Sequence, residues 1–309
     1  MEPVIEAEGL VKQFKEVTAV DDLSFTVNRG EIYGFLGQNG AGKSTTIRML
    51  LSLVRPTAGS IRMFGKDLRV SRRFILRMTG GVIEKPDLYT YLTAAENLSL
   101  FARLAGLHLS PNELRQKLEQ VGLAARANSK VKTYSQGMKQ RLGIAVALAH
   151  DPDLVILDEP ANGLDPQGIA EIRHLILHLG KDLKKTILVS SHLLSEVEQI
   201  ADRLLIINKG KKIVEGKISE LLDTSKMLVE VNTTNNQNAV AVLNTIPAAK
   251  NIRINENYIT IEVDRKEIPA IVNHLVDNKV QILSVQSLHS LEHYFLSLTS
   301  SEHVDLIAN

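Results

Sequence analysis

Short apolar runs recur along the first two thirds of the chain, at residues 30–37, 154–157, 186–190 and 204–208, each bounded by charged or turn-forming residues. Runs of this length predict strands rather than helices. Residues 19–27 are also strand-like. Helical spacing occupies residues 43–54 and most of 93–150, where Ser110-Pro111 opens one helix, Gly106 and Gly122 mark breaks, and 139–149 form another. The breakers Arg55-Pro56-Thr57-Ala58-Gly59 precede residues 60–64, a strand expected to turn back toward the sheet. This alternation predicts an α/β domain with a helical insertion between two pieces of its sheet. Lys209-Gly210 turns the 204–208 strand into a return strand at 212–215, and Gly216 is the expected domain boundary.

The pattern changes past that boundary. Residues 227–231 alternate as a strand, 237–246 have helical spacing, and 251–263 read as a hairpin turning near Asn255-Glu256-Asn257. A helix at 268–278, a strand at 280–285 and a last helix at 291–298 follow. The order βαββαβα predicts a small ferredoxin-like module with an added helix. In that last helix Leu291, Tyr294, Phe295 and Leu298 share one face, which is expected to dock on the first domain or to pair across a dimer.

Composition adds bounds rather than identity. The chain has 309 residues, is 44% hydrophobic and 23% charged, and contains no cysteine, so disulfide frameworks and thiolate metal sites are excluded. A net charge of +1 argues against a nucleic-acid protein. The acidic excess sits in the C-terminal third, which supports two domains of different character. No stretch approaches a spanning helix and the start lacks a signal-peptide pattern, so a cytoplasmic location is expected.

Two motifs carry chemistry. Gly37-Gln38-Asn39-Gly40-Ala41-Gly42-Lys43-Ser44 fits G-x-x-x-x-G-K-[ST] between a predicted strand and a predicted helix, the context of a phosphate-binding loop. Its glycines let backbone N–H groups converge on phosphate oxygens, the helix N-terminus adds positive potential, Lys43 reaches the β- and γ-phosphates, and Ser44 offers a hydroxyl to Mg²⁺. Asn39, Gly40 and Ala41 contribute backbone to the same cradle, and Thr45 can bond near the α-phosphate. The second motif is the apolar run Leu154-Val155-Ile156-Leu157 ending in Asp158-Glu159. Asp158, at a strand end, can hold Mg²⁺, and Glu159 beside it can orient or deprotonate the attacking water. The bland reading, an acidic turn before Pro160, loses force once the phosphate loop is present.

With Tyr134-Ser135-Gln136-Gly137-Met138 between these motifs, the chain resembles the nucleotide-binding domain of an ABC transporter over residues 4–216. The resemblance implies a P-loop NTPase cassette over residues 1–216, a mixed sheet core with an antiparallel β part and a helical subdomain at about 85–150. Residues 217–309 are expected to form the α+β accessory domain. It also implies roles. Ser135 and Gly137 match the signature that contacts the γ-phosphate held by the opposite protomer. Phe14 matches the aromatic that stacks on adenine, against the competing reading of a core aromatic. Asp165 matches the D-loop aspartate, and His192 the switch histidine that senses the γ-phosphate. ATP and Mg²⁺ are the implied ligands. The implied partners are a second copy of the chain, making composite sites in a homodimer, and a separate integral-membrane permease that would hold the protein at the cytoplasmic face of the membrane.

Two departures narrow the resemblance. Glu84 stands where most of the family has a glutamine that links the Mg²⁺ site to the membrane partner, and it adds negative charge there. The signature carries Gln136 and Met138 in place of a glycine and a glutamine. Such variants, with the ending at residues 290–299, are similar to bacterial exporter ATPases serving ABC-2 permeases, including antibiotic-resistance and gliding-motility proteins. A soluble ABC ATPase of translation or DNA repair is the alternative; it would need two cassettes or a long coiled-coil insertion. A regulator without turnover is a third reading, opposed by Glu159. The pairs His174/His178 and His289/His293 have chelating spacing but no evident third ligand and read as solvated helix faces, and residues 209–212 read as a solvated basic turn.

Overall fold

Five of the strands lie side by side in parallel because their neighbours bury both faces. In this computed structural model, which describes residues 2–221, 226–255 and 258–288, the elements of the first part run β1 (Pro3–Phe14), β2 (Val17–Asn28), β3 (Ile32–Leu36), α1 (Lys43–Leu50), β4 (Ala58–Met63), β5 (Lys66–Asp67), α2 (Arg72–Arg77) and β6 (Thr79–Val82). There follow α3 (Ala94–Leu104), α4 (Pro111–Gln120), α5 (Gln136–Ala147), β7 (Leu154–Asp158), α6 (Pro166–Leu177), β8 (Thr186–Ser191), α7 (Leu194–Glu198), β9 (Arg203–Asn208) and β10 (Lys211–Lys217). The main sheet has the order β10-β9-β3-β8-β7-β6, parallel except for β10 at its edge. A second, antiparallel sheet has the order β2-β1-β4-β5.

Alternate residues of the main strands feed two cores, which explains why the runs look uniformly apolar. Val155, Leu157, Ile187 and Val189 pack with Leu98, Leu118, Leu142 and Ile172 of the helices. Leu154, Ile156, Leu188 and Phe35 pack with Ile5, Leu10, Leu23 and Phe25 of the second sheet and with Met49 of α1. The helical insertion is set by local chemistry. Thr93 with Glu96 and Ser110 with Glu113 form capping boxes at the starts of α3 and α4, and Pro111 occupies the first turn of α4.

Three strands escape the sequence pattern, the two-residue β5 and the longer β1 and β6, and the helix at 43–54 ends earlier, at Leu50. Bulges at Ala7/Leu10 and neighbouring positions break the period of two along β1, with Gly9 in the left-handed region. Glycines hide β6: a Cβ on Gly80 would lie 2.3 Å from the Ala147 carbonyl oxygen, so close packing against α5 excludes a side chain there.

The chain divides after Lys217. The second unit comprises α8 (Ile218–Leu221), β11 (Lys226–Thr233), α9 (Asn236–Leu243), β12 (Lys250–Ile254), β13 (Ile259–Asp264), α10 (Ile268–Asp277) and β14 (Ile282–Leu288). Its antiparallel sheet has the order β12-β13-β11-β14, the ferredoxin-like arrangement. Val229, Ile261 and Val263 pack with Ala239, Leu243, Ile271 and Leu275. Leu275 is fully buried, so Leu275→Ala is expected to destabilise this unit by about 2–5 kcal/mol, read as a lowered denaturation midpoint. The expected helix at 291–298, with His289 and His293, lies outside the described residues, as does part of the turn at 255–257.

Candidate active site

The phosphate-binding loop is shaped by what crowds it. Gly42 caps α1 with φ 107°, and a Cβ there would lie 2.5 Å from the Ala19 carbonyl oxygen, so both conformation and space demand glycine. The β9–β10 turn braces the loop from the other side: the Gly210 N–H donates to the Ala41 carbonyl at 3.0 Å, and the Asp21 N–H to the Gly210 carbonyl at 3.0 Å. The basic turn at 209–212 is therefore part of the loop's support rather than merely solvated. Lys43 is buried. Its ammonium donates to the Gly37 and Gln38 carbonyls at 2.6 and 3.3 Å and lies 3.1 Å from Glu159 Oε1.

β7 and β8 end beside this loop. Asp158 is fully buried at the end of β7; its Oδ1 accepts from the Ser190 hydroxyl at 2.5 Å, while Oδ2 is buried with no hydrogen-bond partner among the described residues. Glu159 follows with φ 50°, and this left-handed turn aims its carboxylate back over the loop. Its Oε2 meets His192 Nδ1 at 2.7 Å. Lys43, Glu159 and His192, from three separate segments, thus form one continuous chain of contacts. The Ser191 hydroxyl reaches Glu196 on α7 at 3.4 Å, and burial pushes the Glu196 carboxyl above the usual range.

A cleft of about 890 Å³ opens over these residues, lined by Asn39, Gly40, Gly42, Lys43, Ser44, Thr45, Glu84 and Glu159 among others. Glu84 stands there with φ 55°, and its charge is met by Arg48 of α1, Nη2 to Oε1 at 2.6 Å. No local pattern in the chain points to that partner. Phe14, at the end of β1, is 46% exposed, which removes the core reading; the Lys12 ammonium sits 4.8 Å from its ring centroid. Phe14 is not part of the cleft wall.

Ser135, Gly137 and Asp165 do not themselves line the cleft, although Gln136 between the first two does; they stand at the starts of two adjacent helices. Ser135 caps α5 by accepting from the Met138 N–H at 3.2 Å, and Asp165 caps α6 by accepting from the Gly168 N–H at 3.0 Å. A Cβ on Gly137 would come no closer than 3.8 Å to Gly168, so among the described residues no packing contact requires glycine there. Of the rejected histidines, His178 pairs with Asp182 at 2.7 Å.

The donors suit Mg²⁺. Among the described residues no group of three or more His, Cys, Asp or Glu is placed to hold a metal ion by itself, but a buried carboxylate oxygen of Asp158, unpartnered among those residues, beside a loop ending in the Ser44 hydroxyl matches an ion that takes one carboxylate plus substrate phosphates.

The sequence profile of the family described as ABC transporter matches residues 20–162. The chain is 41% identical over 300 residues to the bacitracin transport ATP-binding protein BcrA of Bacillus licheniformis, covering 96% of this chain and 98% of that protein. It is 42% identical to the lantibiotic transport ATP-binding protein SrtF of Streptococcus pyogenes, covering 69% of this chain and 90% of that one. Among solved structures, cbiO1 from Clostridium perfringens, part of the ABC transporter complex cbiONQ, aligns with a TM-score of 0.65 at 27% identity, covering 72% of this chain and 92% of its own. An ATP-binding subunit of another ABC transporter aligns with a TM-score of 0.62 at 32% identity, covering 71% and 92%.

Proposed function

We propose, from the premise that this chain belongs to the ABC transporter family of ATP-binding proteins, that it is the ATP-hydrolysing subunit of an exporter whose membrane permease is a separate chain. The relatives named for bacitracin and lantibiotic transport support export. Among the described residues no helix is long and apolar enough to cross a membrane, which supports a permease on another chain. The Glu84 and signature variants support the ABC-2 class, with the protein on the cytoplasmic face. Residues 1–216 would be the cassette and 217–309 an accessory domain.

The observation that carries the reading is the Lys43–Glu159–His192 chain above the phosphate loop. Lys43 would exchange the Gly37 and Gln38 carbonyls and Glu159 for phosphate oxygens as ATP binds, neutralising charge that grows on the leaving diphosphate. Glu159, released from Lys43, accepts a proton from the attacking water; the bond from the γ-phosphorus to the β-bridging oxygen breaks as the bond from water forms. His192, held on Glu159, would sense the γ-phosphate and its loss. Ser44, Asp158 and Glu84 would hold Mg²⁺. When bound, that ion supplies neutralising charge to the phosphates.

Gly137 supports a composite site. Its lack of a side chain is unexplained by packing among the described residues, and Ser135 beside it is exposed, as expected of a surface that meets the nucleotide of a second copy in a homodimer. Asp165 lies next to this surface through Gly168. Mixing two inactive variants, Lys43→Ala and Ser135→Arg, tests the arrangement, since a mixed dimer rebuilds one intact site. Regained phosphate release is expected; a mixture as inactive as its parts would overturn the shared site. Phe14→Ala is expected to raise the ATP half-saturation about tenfold with kcat nearly unchanged, the loss of one base–aromatic stack.

A further inference from the structure

One buried hydroxyl ties together the two acids of the site. Ser190 pairs in register with Asp158 across β7 and β8 and is fully buried. Its Oγ donates to Asp158 Oδ1 at 2.5 Å and accepts the Glu159 backbone N–H at 2.9 Å. The preceding residues of β8, Ile187, Leu188 and Val189, are apolar and buried, so an apolar side chain would continue the strand. A hydroxyl buried there needs partners, and both of its partners belong to the functional pair.

We propose that Ser190 is a positioning residue for ATP hydrolysis, fixing the Asp158 carboxylate and the Glu159 backbone at once. This rests on the proposed roles of those two acids. By engaging Oδ1, Ser190 leaves Oδ2 as the acceptor without a partner among the described residues. By accepting the Glu159 N–H, it stabilises the left-handed turn at φ 50°, a conformation a glutamate rarely adopts unaided. His192, two residues farther along the same segment, holds the other end of Glu159 through Oε2. Glu159 is therefore gripped at its backbone and at its carboxylate by a single strand end. A shift of His192 on loss of the γ-phosphate would act on the same strand end that sets the turn of Glu159.

The test compares Ser190→Ala, Ser190→Thr and Ser190→Val in the full-length protein. Thr and Val have the same shape and differ in the hydroxyl, so this pair decides even where the Ala variant does not fold. Removing the hydroxyl is expected to raise the Mg²⁺ half-saturation of hydrolysis about tenfold, as loss of a partner to a metal-holding group does, and to lower kcat. In the nucleotide-free protein it is expected to speed hydrogen exchange at the Glu159 amide about tenfold. Binding of a fluorescent ATP analogue in EDTA should stay within about twofold, because Lys43 and Phe14 are untouched. Ser190→Thr restores each value. Variants that lower the melting temperature while keeping wild-type Mg²⁺ half-saturation and Glu159 exchange would overturn the proposal. A wild type without hydrolysis would fail the underlying reading instead, and the amide exchange would still decide whether Ser190 holds Glu159.

Discussion

Glu159→Gln is expected to hydrolyse ATP at about one hundredth of the wild-type rate or less, the usual contribution of a positioned general base. Glutamine keeps the shape but cannot take the proton from water. It also loses the ion pair that draws Lys43 away from phosphate, Nζ to Oε1 at 3.1 Å, so nucleotide affinity should hold or rise. Because ATP would then bind without being consumed, the variant should accumulate as a dimer in ATP while the wild type cycles. Phosphate release and light-scattering mass with ATP check both parts. Equal turnover in the two proteins would sink the base assignment, and a monomer under saturating ATP would count against the shared site.

Lys43→Ala is expected to weaken binding of ATP by about a hundredfold or more, since removing one partner from a buried charged contact costs about 2–5 kcal/mol. Lys43 is only 5% exposed and is already directed to the loop by the Gly37 and Gln38 carbonyls, so little ordering remains to be done when phosphate arrives. The measurement is equilibrium binding of a fluorescent ATP analogue, repeated in EDTA so that the cation does not enter. Binding unchanged from wild type would remove the phosphates from this loop. Folding should be checked in parallel, because the substitution removes the ammonium beside Glu159 and leaves that carboxylate held by His192 through Oε2.

The two variants act on residues that the chain places far apart, and they show where sequence reasoning reaches its limit. The phosphate loop is a local object: its glycines, its lysine and the start of α1 follow one another, so eight consecutive residues specify both shape and chemistry. The strand ending in Asp158-Glu159 is local in the same way. The apolar runs of β3, β7 and β8 were legible because parallel strands covered on both faces need apolar residues at every position. β1 and β6 were not, since bulges in one and glycines in the other break the signal.

Partnerships between segments were beyond that reach. Arg48 is an ordinary helix residue until the backbone at Glu84, with φ 55°, brings a carboxylate to it; the pair is largely exposed and should matter more for local charge than for stability. Ser190 reads as a strand residue until β8 is laid beside β7 with Asp158 in register. Phe14 could be core or surface on pattern alone, and only its place at the end of a strand, 46% exposed, separates the two.

By itself the sequence determined the strand and helix alternation, the loop that takes phosphate and the acids suited to act on it, because each depends on neighbours in the chain. The tertiary structure decided which groups meet. Lys43, Glu159 and His192 touch, and one serine holds both acids, because parallel strands distant in sequence end at the same edge of one sheet, and no local pattern records that register.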